Sequence, residues 1–527
     1  MWGQKKTMGK DVGDELKVIA RGASLIFIGT FISKVLMYFY RLVVARWLGP
    51  SDYGLISIGI SVFWLSLGFI KLGFTSGIKR RVSHFIGKGE ESKVTTVLWS
   101  VLLINIPWSV LVAFILFLTA DIIAVGFFNQ PELGFIIRMF SIAVPFQMLY
   151  HNLAAFLKGL RDVKYHVVSD KIFRSLFTLT SAIVLIYFGW EVRGALYAEI
   201  GGIILSTVLL LLLVEFKAYP FIRDRRFDGL LKEQKTVLKF ALPLFVSTII
   251  GKLMGHADTI MIGFFEASES AGVYNAAFPT AGIITVAGGA VGTMLFPTIS
   301  KLYSSGKKDL SEEVASVALK WIFLVSFPAM VFMVLFGNSI LNFLFGEAYV
   351  GGAYALAVLG IGYTVKNLSR HYGSFIKSED ETSLILKITA GIFVFNILLN
   401  IVLIPRIGIS GAAVATAFAS AAKSLVGSLV VYFKFGVNPY RKNFFVPGLV
   451  STLVAGGSVY VVLKYFFDIV PLWAMIPGGI GFMLIYGVLF LRLGGINKHD
   501  MEILRSVDEK TGENLETVKK IVRMLIK

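Results

Sequence analysis

Five polar or basic side chains lie inside two long apolar segments, and two of those in each segment have the same spacing. Lys34, Tyr38 and Arg41 lie on one helical face of the first segment. Lys252 and His256 repeat the spacing of Lys34 and Tyr38 in a later segment. Away from water, an arginine binds phosphate through two hydrogen bonds and a lysine as a point charge. The pattern predicts an anion-binding cavity in which Lys34 and Lys252 face each other, with Arg41 and His256 nearby.

A second group of cations lies further along the chain. Lys366 and Arg370 are one helical turn apart, and His371 follows them. Ionisable groups inside a membrane segment cost free energy unless they face a cavity or a partner. These three residues therefore predict a cavity mouth toward the cytoplasm, and snorkelling to the headgroups is the alternative. Their counterparts in the first half of the chain are Gln147, His151 and Asn152.

Acidic groups are scarce in the apolar segments. Glu199 and Asp258 are candidates for coupling to an ion or for pairing with a cation. Lys71 and Arg174 lie near the ends of their segments, which favours snorkelling to the headgroups. The chain has no cysteine and no Walker A sequence, and its short external loops hold no paired carboxylates. No catalytic residue, metal site or cofactor is therefore expected.

The elements that must position these groups are membrane-spanning helices. The chain is 56% hydrophobic and 16% charged, whereas a soluble domain carries about 25% charged residues. Apolar runs of the length that a bilayer core requires recur many times, which predicts an all-α polytopic membrane protein with about fourteen spans. The approximate spans are 22–45, 53–77, 95–120, 133–157, 166–188, 194–216, 237–262, 271–297, 315–337, 350–375, 384–404, 409–433, 444–466 and 471–492.

The charges of the loops alternate along the chain. Loops near 79–94, 158–171, 221–239, 301–308 and 434–442 are basic, whereas the loops between them are short and poor in Lys and Arg. The positive-inside rule places the basic loops and both termini in the cytoplasm of a cell-membrane protein. The net charge of +18 is accounted for by these loops, so no nucleic-acid partner is expected.

Weak internal matches indicate a duplicated six-helix unit. Gly54 aligns with Gly272 in the register that aligns Lys34 with Lys252, and Phe156 to Lys158 align with Phe375 to Lys377 at nearly the same shift. Two pseudo-symmetric bundles and two extra helices are therefore predicted. The predicted parts are a cytoplasmic N-terminal segment (1–20), a first bundle (21–220), a basic linker (221–236), a second bundle (237–435), two additional helices (436–495) and a cytoplasmic amphipathic tail (496–527).

One loop carries a family resemblance. Arg-Trp-Leu-Gly-Pro-Ser-Asp-Tyr-Gly at 46–54 resembles the signature of polysaccharide flippases of the multidrug/oligosaccharidyl-lipid/polysaccharide exporter superfamily. Residues 80–90 and 159–162 and the 6+6+2 arrangement of spans fit as well. In this loop Gly49-Pro50 is expected to end the helix, and Gly54 to relax the turn into the next one.

The resemblance implies two bundles in a V around a central cavity. It further implies transport of a lipid-linked (pyro)phosphate sugar from the cytoplasmic to the outer leaflet by alternating access. The lipid bilayer and glycosyltransferases of the same pathway are the expected partners, and a monomer is compatible with the sequence. Two alternatives stay open: a cation-coupled multidrug or small-molecule exporter of the same superfamily, and a membrane sugar polymerase or ligase, which would need a larger external loop.

Overall fold

The computed structural model describes residues 2–224, 226–379, 381–440 and 442–495, and every regular element in these ranges is helical. The predicted amphipathic tail, 496–527, lies outside the described residues. The helices are α1 (Trp2–Lys71), α2 (Phe74–Gly87), α3 (Val94–Leu118), α4 (Glu132–Gly159), α5 (Lys164–His166), α6 (Ser175–Tyr187), α7 (Glu191–Leu213), α8 (Leu230–Phe265), α9 (Ser268–Gly282), α10 (Thr285–Ser304), α11 (Lys308–Phe345), α12 (Ala353–Leu368), α13 (Arg370–Ser378), α14 (Thr382–Phe435), α15 (Lys442–Phe466) and α16 (Leu472–Arg492).

The helices confirm a polytopic all-α membrane protein. Nine segments of the described residues are long and apolar enough to cross a bilayer. Two of them, Ser24–Lys71 and Ser383–Phe435, are about twice the required length, and each contains a break. Gly49 breaks the first with φ of 82°, and Gly408 breaks the second with φ of 58°. The count of fourteen spans stays a prediction.

The chain forms two compact units, Met1–Gly272 and Val273–Lys527. The first unit contains α8, which the sequence assigned to the start of the second bundle. The sequence predicted bundles separated by a linker at 221–236, and the two compact units do not have these boundaries. The predicted bundle boundaries therefore stay a prediction.

The first half of α1 is anchored in the first unit along one face. A Cβ added to Gly29 would lie 2.4 Å from Cγ1 of Val167. Ser33 Oγ is 2.7 Å from Ser175 Oγ, and Tyr40 donates a hydrogen bond of 3.3 Å to the carbonyl oxygen of Ala195. These contacts fix the rotation of α1 and thereby the direction of the face that carries Lys34 and Arg41.

Two pairs of glycines support the internal duplication. Gly89 and Gly306 are separated by about the repeat distance and have φ of 70° and 73°. Gly189 and Gly408 have a similar separation and φ of 81° and 58°. Left-handed backbone of this kind favours glycine, because a Cβ would be strained there. Glycines with positive φ therefore recur at the repeat distance, in agreement with two pseudo-symmetric bundles.

Each unit also contains a broken helix that is held by an asparagine. Between α1 and α2, the carbonyl oxygen of Ile70 accepts a 3.0 Å hydrogen bond from the amide of Asn105. Between α9 and α10, the carbonyl oxygen of Ile284 accepts a 2.7 Å bond from the amide of Asn367. Both asparagines are fully buried. A buried amide satisfies the carbonyl that each break exposes.

Candidate functional site

Lys252 of α8 is half-buried against α1 within the first unit. Its Nζ is 4.1 Å from the centroid of the Trp64 ring, and its Cβ would lie 3.5 Å from a Cβ added to Gly68. One turn along α8, His256 Nδ1 is 3.3 Å from Ser61 Oγ. A cation over an indole face is stabilised by the ring quadrupole without losing its charge. This stretch of α1 therefore presents an aromatic and hydroxyl-bearing face to the two basic side chains.

Further cations surround this contact. Lys71 follows Trp64 by about two turns of α1, and the ring centroid of His151 lies 6.4 Å from that of Trp64. Arg41 lies within electrostatic range of His256. We call Arg41, Lys71, His151, Lys252 and His256 the cationic cluster. Among the described residues Arg41, Lys71 and Lys252 form no ion pair with a carboxylate, so no described carboxylate neutralises the cluster.

Lys34 and Tyr38 lie on the same stretch of α1 as Arg41. Lys34 is exposed at the surface of the helix, and Arg41 and Tyr38 are half-buried, with Tyr38 engaged in contacts of its own. The structure thus brings Lys252 and His256 together against α1, with Arg41 within electrostatic range of His256. The facing of Lys34 and Lys252 across a cavity stays a prediction.

Behind α1, a buried network of ion pairs and hydrogen bonds links α4, α7 and the π-helical turn at Val167–Arg174. Arg174 donates hydrogen bonds of 3.1 Å to Glu199 Oε1 and 3.0 Å to Gln147 Oε1. Asp170 accepts from Arg174 at 3.5 Å and pairs with Lys171 at 2.7 Å. Arg174 and Glu199 are 9% and 6% exposed, so Arg174 does not snorkel to the headgroups as expected. Glu199 takes the second of the two roles considered for it, pairing with a cation, and its coupling role stays a prediction.

Replacing Arg174 with Ala should destabilise the protein by about 3–5 kcal/mol, because it leaves the buried carboxylate of Glu199 without its counterion. The free energy of unfolding in detergent, followed by circular dichroism against denaturant, measures this loss. Arg138→Ala is the matched control, since Arg138 pairs with Asp121 at an exposed position and should cost less than about 1 kcal/mol. Equal losses in the two variants would show that the buried network does not stabilise the fold.

The residues of the second predicted group are placed differently in the second unit. Lys366 is exposed near the end of α12, with Nζ 5.3 Å from the Tyr363 ring centroid. His371 is 1% exposed and packs against Tyr440, with ring centroids 5.2 Å apart. A break at Ser369 separates α12 from α13, so these side chains do not continue one helix face. The side chain of Arg370 lies outside the described residues, and the cavity mouth stays a prediction.

A close helix crossing lies at the predicted external end of the first unit. A Cβ added to Gly54 would lie 1.7 Å from the carbonyl oxygen of Ser268, and one added to Gly272 would lie 1.9 Å from that of Pro50. Ser51 Oγ and Ser268 Oγ are 3.2 Å apart. Gly54 and Gly272 are the residues that the duplication aligns, so the crossing pairs equivalent positions. Gly54 therefore permits two backbone segments to approach closely, and the turn itself lies at Gly49.

Two residues of the site were missed from the sequence. Trp64 had no assigned role. Asp170 was not considered. Ser61, Trp64, Gly68 and Lys71 recur at helical spacing on one face of the second span, which is a polar stripe that the sequence does display.

An all-helical, internally duplicated polytopic protein with a cationic cluster among its helices is of the class of membrane transporters. The chain belongs to the family described as "Polysaccharide biosynthesis protein", whose profile matches residues 19–303, more than half of its length. A profile described as MatE matches residues 243–402.

The chain is also similar to individual proteins. It is 24% identical to an uncharacterized membrane protein of Methanocaldococcus jannaschii, over 76% of this chain and 81% of that protein. It is 22% identical to the probable low-salt glycan biosynthesis flippase Agl15 of Haloferax volcanii, over 77% and 82%. The solved structure of the lipid II flippase MurJ in an inward closed conformation matches with a TM-score of 0.70 and 16% identity, over 88% of this chain and 97% of that chain. The protein therefore has the same fold as this solved structure.

Proposed function

We propose that the protein is a flippase that moves a lipid-linked oligosaccharide or polysaccharide precursor from the cytoplasmic to the outer leaflet by alternating access. The observation that carries the proposal is the cationic cluster. Arg41 and Lys71 lie in a helix that is long and apolar enough to cross a bilayer, and Lys252 lies in the predicted span 237–262. No described carboxylate pairs with these three residues. A phosphate or pyrophosphate group between sugar and lipid has the complementary charge.

Each member of the cluster has a role that follows from its surroundings. Trp64 holds the Lys252 ammonium by its ring face, which leaves the other side of that group available to an anion. His256 and His151 supply further polar contacts at the same depth. Lys34, exposed on the same stretch of α1 as Arg41, would extend the positive path along that helix. This path would draw the headgroup away from the bilayer surface while the lipid tail stays in hydrocarbon.

The comparisons support the same class of cargo. Agl15 is named as a probable glycan biosynthesis flippase and MurJ as a lipid II flippase. We further propose that the protein lies in the cell membrane with both termini in the cytoplasm, and that glycosyltransferases of the same pathway are its partners.

A cation-coupled exporter is the second candidate, favoured by the MatE match over residues 243–402. A cationic substrate needs an available carboxylate. Glu199 is bound to Arg174, and Asp258 is buried and engaged in contacts of its own. The exporter would therefore have to open an existing interaction before it bound a cation, whereas the flippase uses cations that no described carboxylate neutralises.

Transport by the reconstituted protein separates these functions. Vesicles that contain the full chain and a fluorescent polyprenyl-pyrophosphate sugar should show faster movement of label to the opposite leaflet than protein-free vesicles, measured by quenching of exposed label. A parallel set carries a fluorescent cation under proton and sodium gradients. Cation transport without movement of the lipid-linked sugar would contradict the flippase and favour the exporter.

A further inference from the structure

A basic groove lies on the surface of the first unit between α2 and α8. It has a volume of about 570 Å³. Arg80, His84, Lys235 and Lys239 are exposed along it. The positive-inside rule places these residues at the cytoplasmic end of the spans, where protein meets phospholipid headgroups. The groove is therefore a concentration of positive charge at headgroup depth.

The groove exists because α2 and α8 pack at very short distance. A Cβ added to Gly73 would lie 2.3 Å from the carbonyl oxygen of Ala241, so only glycine permits this approach. The contacts advance by one helical turn on both antiparallel helices, pairing Gly73 with Ala241, Gly77 with Val237, and Arg81 with Glu233. One face of α2 thus packs against one face of α8. The basic side chains lie beside this contact and line the groove.

The charges in the groove are of two kinds. Arg81 is held by Glu233 through bonds of 2.8 Å and 2.6 Å, so its guanidinium is neutralised. The guanidinium of Arg80 lies over the Phe240 ring at 4.5 Å, which fixes its plane but leaves its donors available. Among the described residues Arg80, Lys235 and Lys239 have no carboxylate partner. Three cations are therefore available to an anion at one place.

The groove is separate from the cationic cluster. Lys239 and Lys252 lie on the same uninterrupted helix, α8. At about 1.5 Å and 100° per residue, they are about 20 Å apart along the axis and on faces about 140° apart. A ligand in the groove therefore does not occupy the proposed transport route.

We propose that the groove binds the phosphate diester of an anionic phospholipid in the cytoplasmic leaflet. Leu231, near the start of α8, is 72% exposed, and Phe240 lies half-buried beside Arg80, so apolar surface borders the cations. Positive charge beside apolar surface matches a lipid, which presents its phosphate and its acyl chains side by side. A soluble phosphate compound would use only the charges.

Binding of single lipids to the full-length protein tests the proposal. Native mass spectrometry of detergent-solubilised protein titrated with phosphatidylglycerol gives the Kd of the first bound lipid. Replacing Arg80 and Lys239 with Gln should weaken it about 30-fold, equivalent to about 2 kcal/mol for two interfacial cations. The control variant Lys88→Gln with Lys232→Gln removes two exposed charges near the same helices outside the groove, and should change the Kd less than about threefold.

A variant that is expected to tighten lipid binding distinguishes the loss of a specific contact from a loss of structure. Glu233→Gln releases Arg81 from its ion pair and should tighten the binding of phosphatidylglycerol about fivefold, as expected for one added interfacial cation. Equal weakening in the groove and control variants would overturn the proposal. Tight binding of inorganic pyrophosphate that displaces phosphatidylglycerol, with no preference for the lipid, would assign the groove to soluble phosphates and overturn the lipid assignment.

Discussion

Lys252→Gln should slow movement of a lipid-linked pyrophosphate sugar about 10- to 100-fold, because a charge-assisted hydrogen bond to phosphate contributes about 1.5–3 kcal/mol. Lys252 is the member of the cationic cluster with the most defined geometry, since its ammonium is held over Trp64 and its stem lies against Gly68. Lys252→Arg keeps the charge and should retain much of the rate. Combining Lys34→Gln with Lys252→Gln should abolish transport if the two lysines share one anion.

The measurement is the initial rate of label movement in vesicles that contain equal amounts of folded protein. Lys217→Gln is the matched control, because Lys217 is exposed at the end of the α7 span and lies outside the cluster. Transport by Lys252→Gln at the rate of Lys217→Gln would remove the cluster from the pathway. Loss in Lys252→Gln with full activity in Lys34→Gln would instead confine the anion site to the residues that surround Trp64.

Local rules predicted most of the fold. The Gly49-Pro50 pair predicted a helix break, and Gly49 has the positive φ that ends the first half of α1. The duplication register placed Lys252 and His256 one turn apart on a single helix, which the structure confirms. Hydropathy and repeat distance depend on residues within one helix or one loop, so the sequence contains that information directly.

Contacts between helices could not be predicted in the same way. Arg174 was expected to snorkel because it lies near a span end, yet it binds Glu199 on the neighbouring helix α7. The π-helical turn before α6 widens the backbone there, and nothing in local propensity specifies which neighbour the side chain meets. Trp64 likewise acquires its role only when α8 packs against α1. The sequence therefore locates the candidate site through its charged residues in apolar segments. The geometry of the site depends on how the helices pack, which only the structure gives.

Cysteines placed at Ser51 and Ser268 should form a disulfide that holds the external crossing closed and reduces transport to the rate of empty vesicles. The two hydroxyl oxygens are 3.2 Å apart, and the flanking backbones touch at Gly54 and Gly272. The chain has no cysteine of its own, so the pair can be studied without removing other thiols. Alternating access requires this end of the protein to open once per cycle, and a covalent bond prevents that step.

The disulfide is detected as loss of maleimide labelling after mild oxidation, and the transport rate is measured before oxidation, after it, and after a reducing agent. The single variants Ser51→Cys and Ser268→Cys receive the same treatment and should transport normally throughout. Adding Gly54→Ala to the double variant should lower the yield of disulfide, because its Cβ would meet the Ser268 carbonyl at 1.7 Å. Backbone cannot shift as a flexible side chain can, so even one methyl group should keep the two segments apart.

The two outcomes of this experiment bear on different parts of the proposal. Complete oxidation with unchanged transport would show that the crossing stays closed throughout the cycle, and the lipid-linked sugar would have to leave by another path. Inhibition that is reversed when the disulfide is reduced would show that the crossing must open during transport. Because Gly54 and Gly272 occupy equivalent positions of the two repeats, the duplication would then supply both sides of the same closure, each with a glycine that permits the other's backbone to approach.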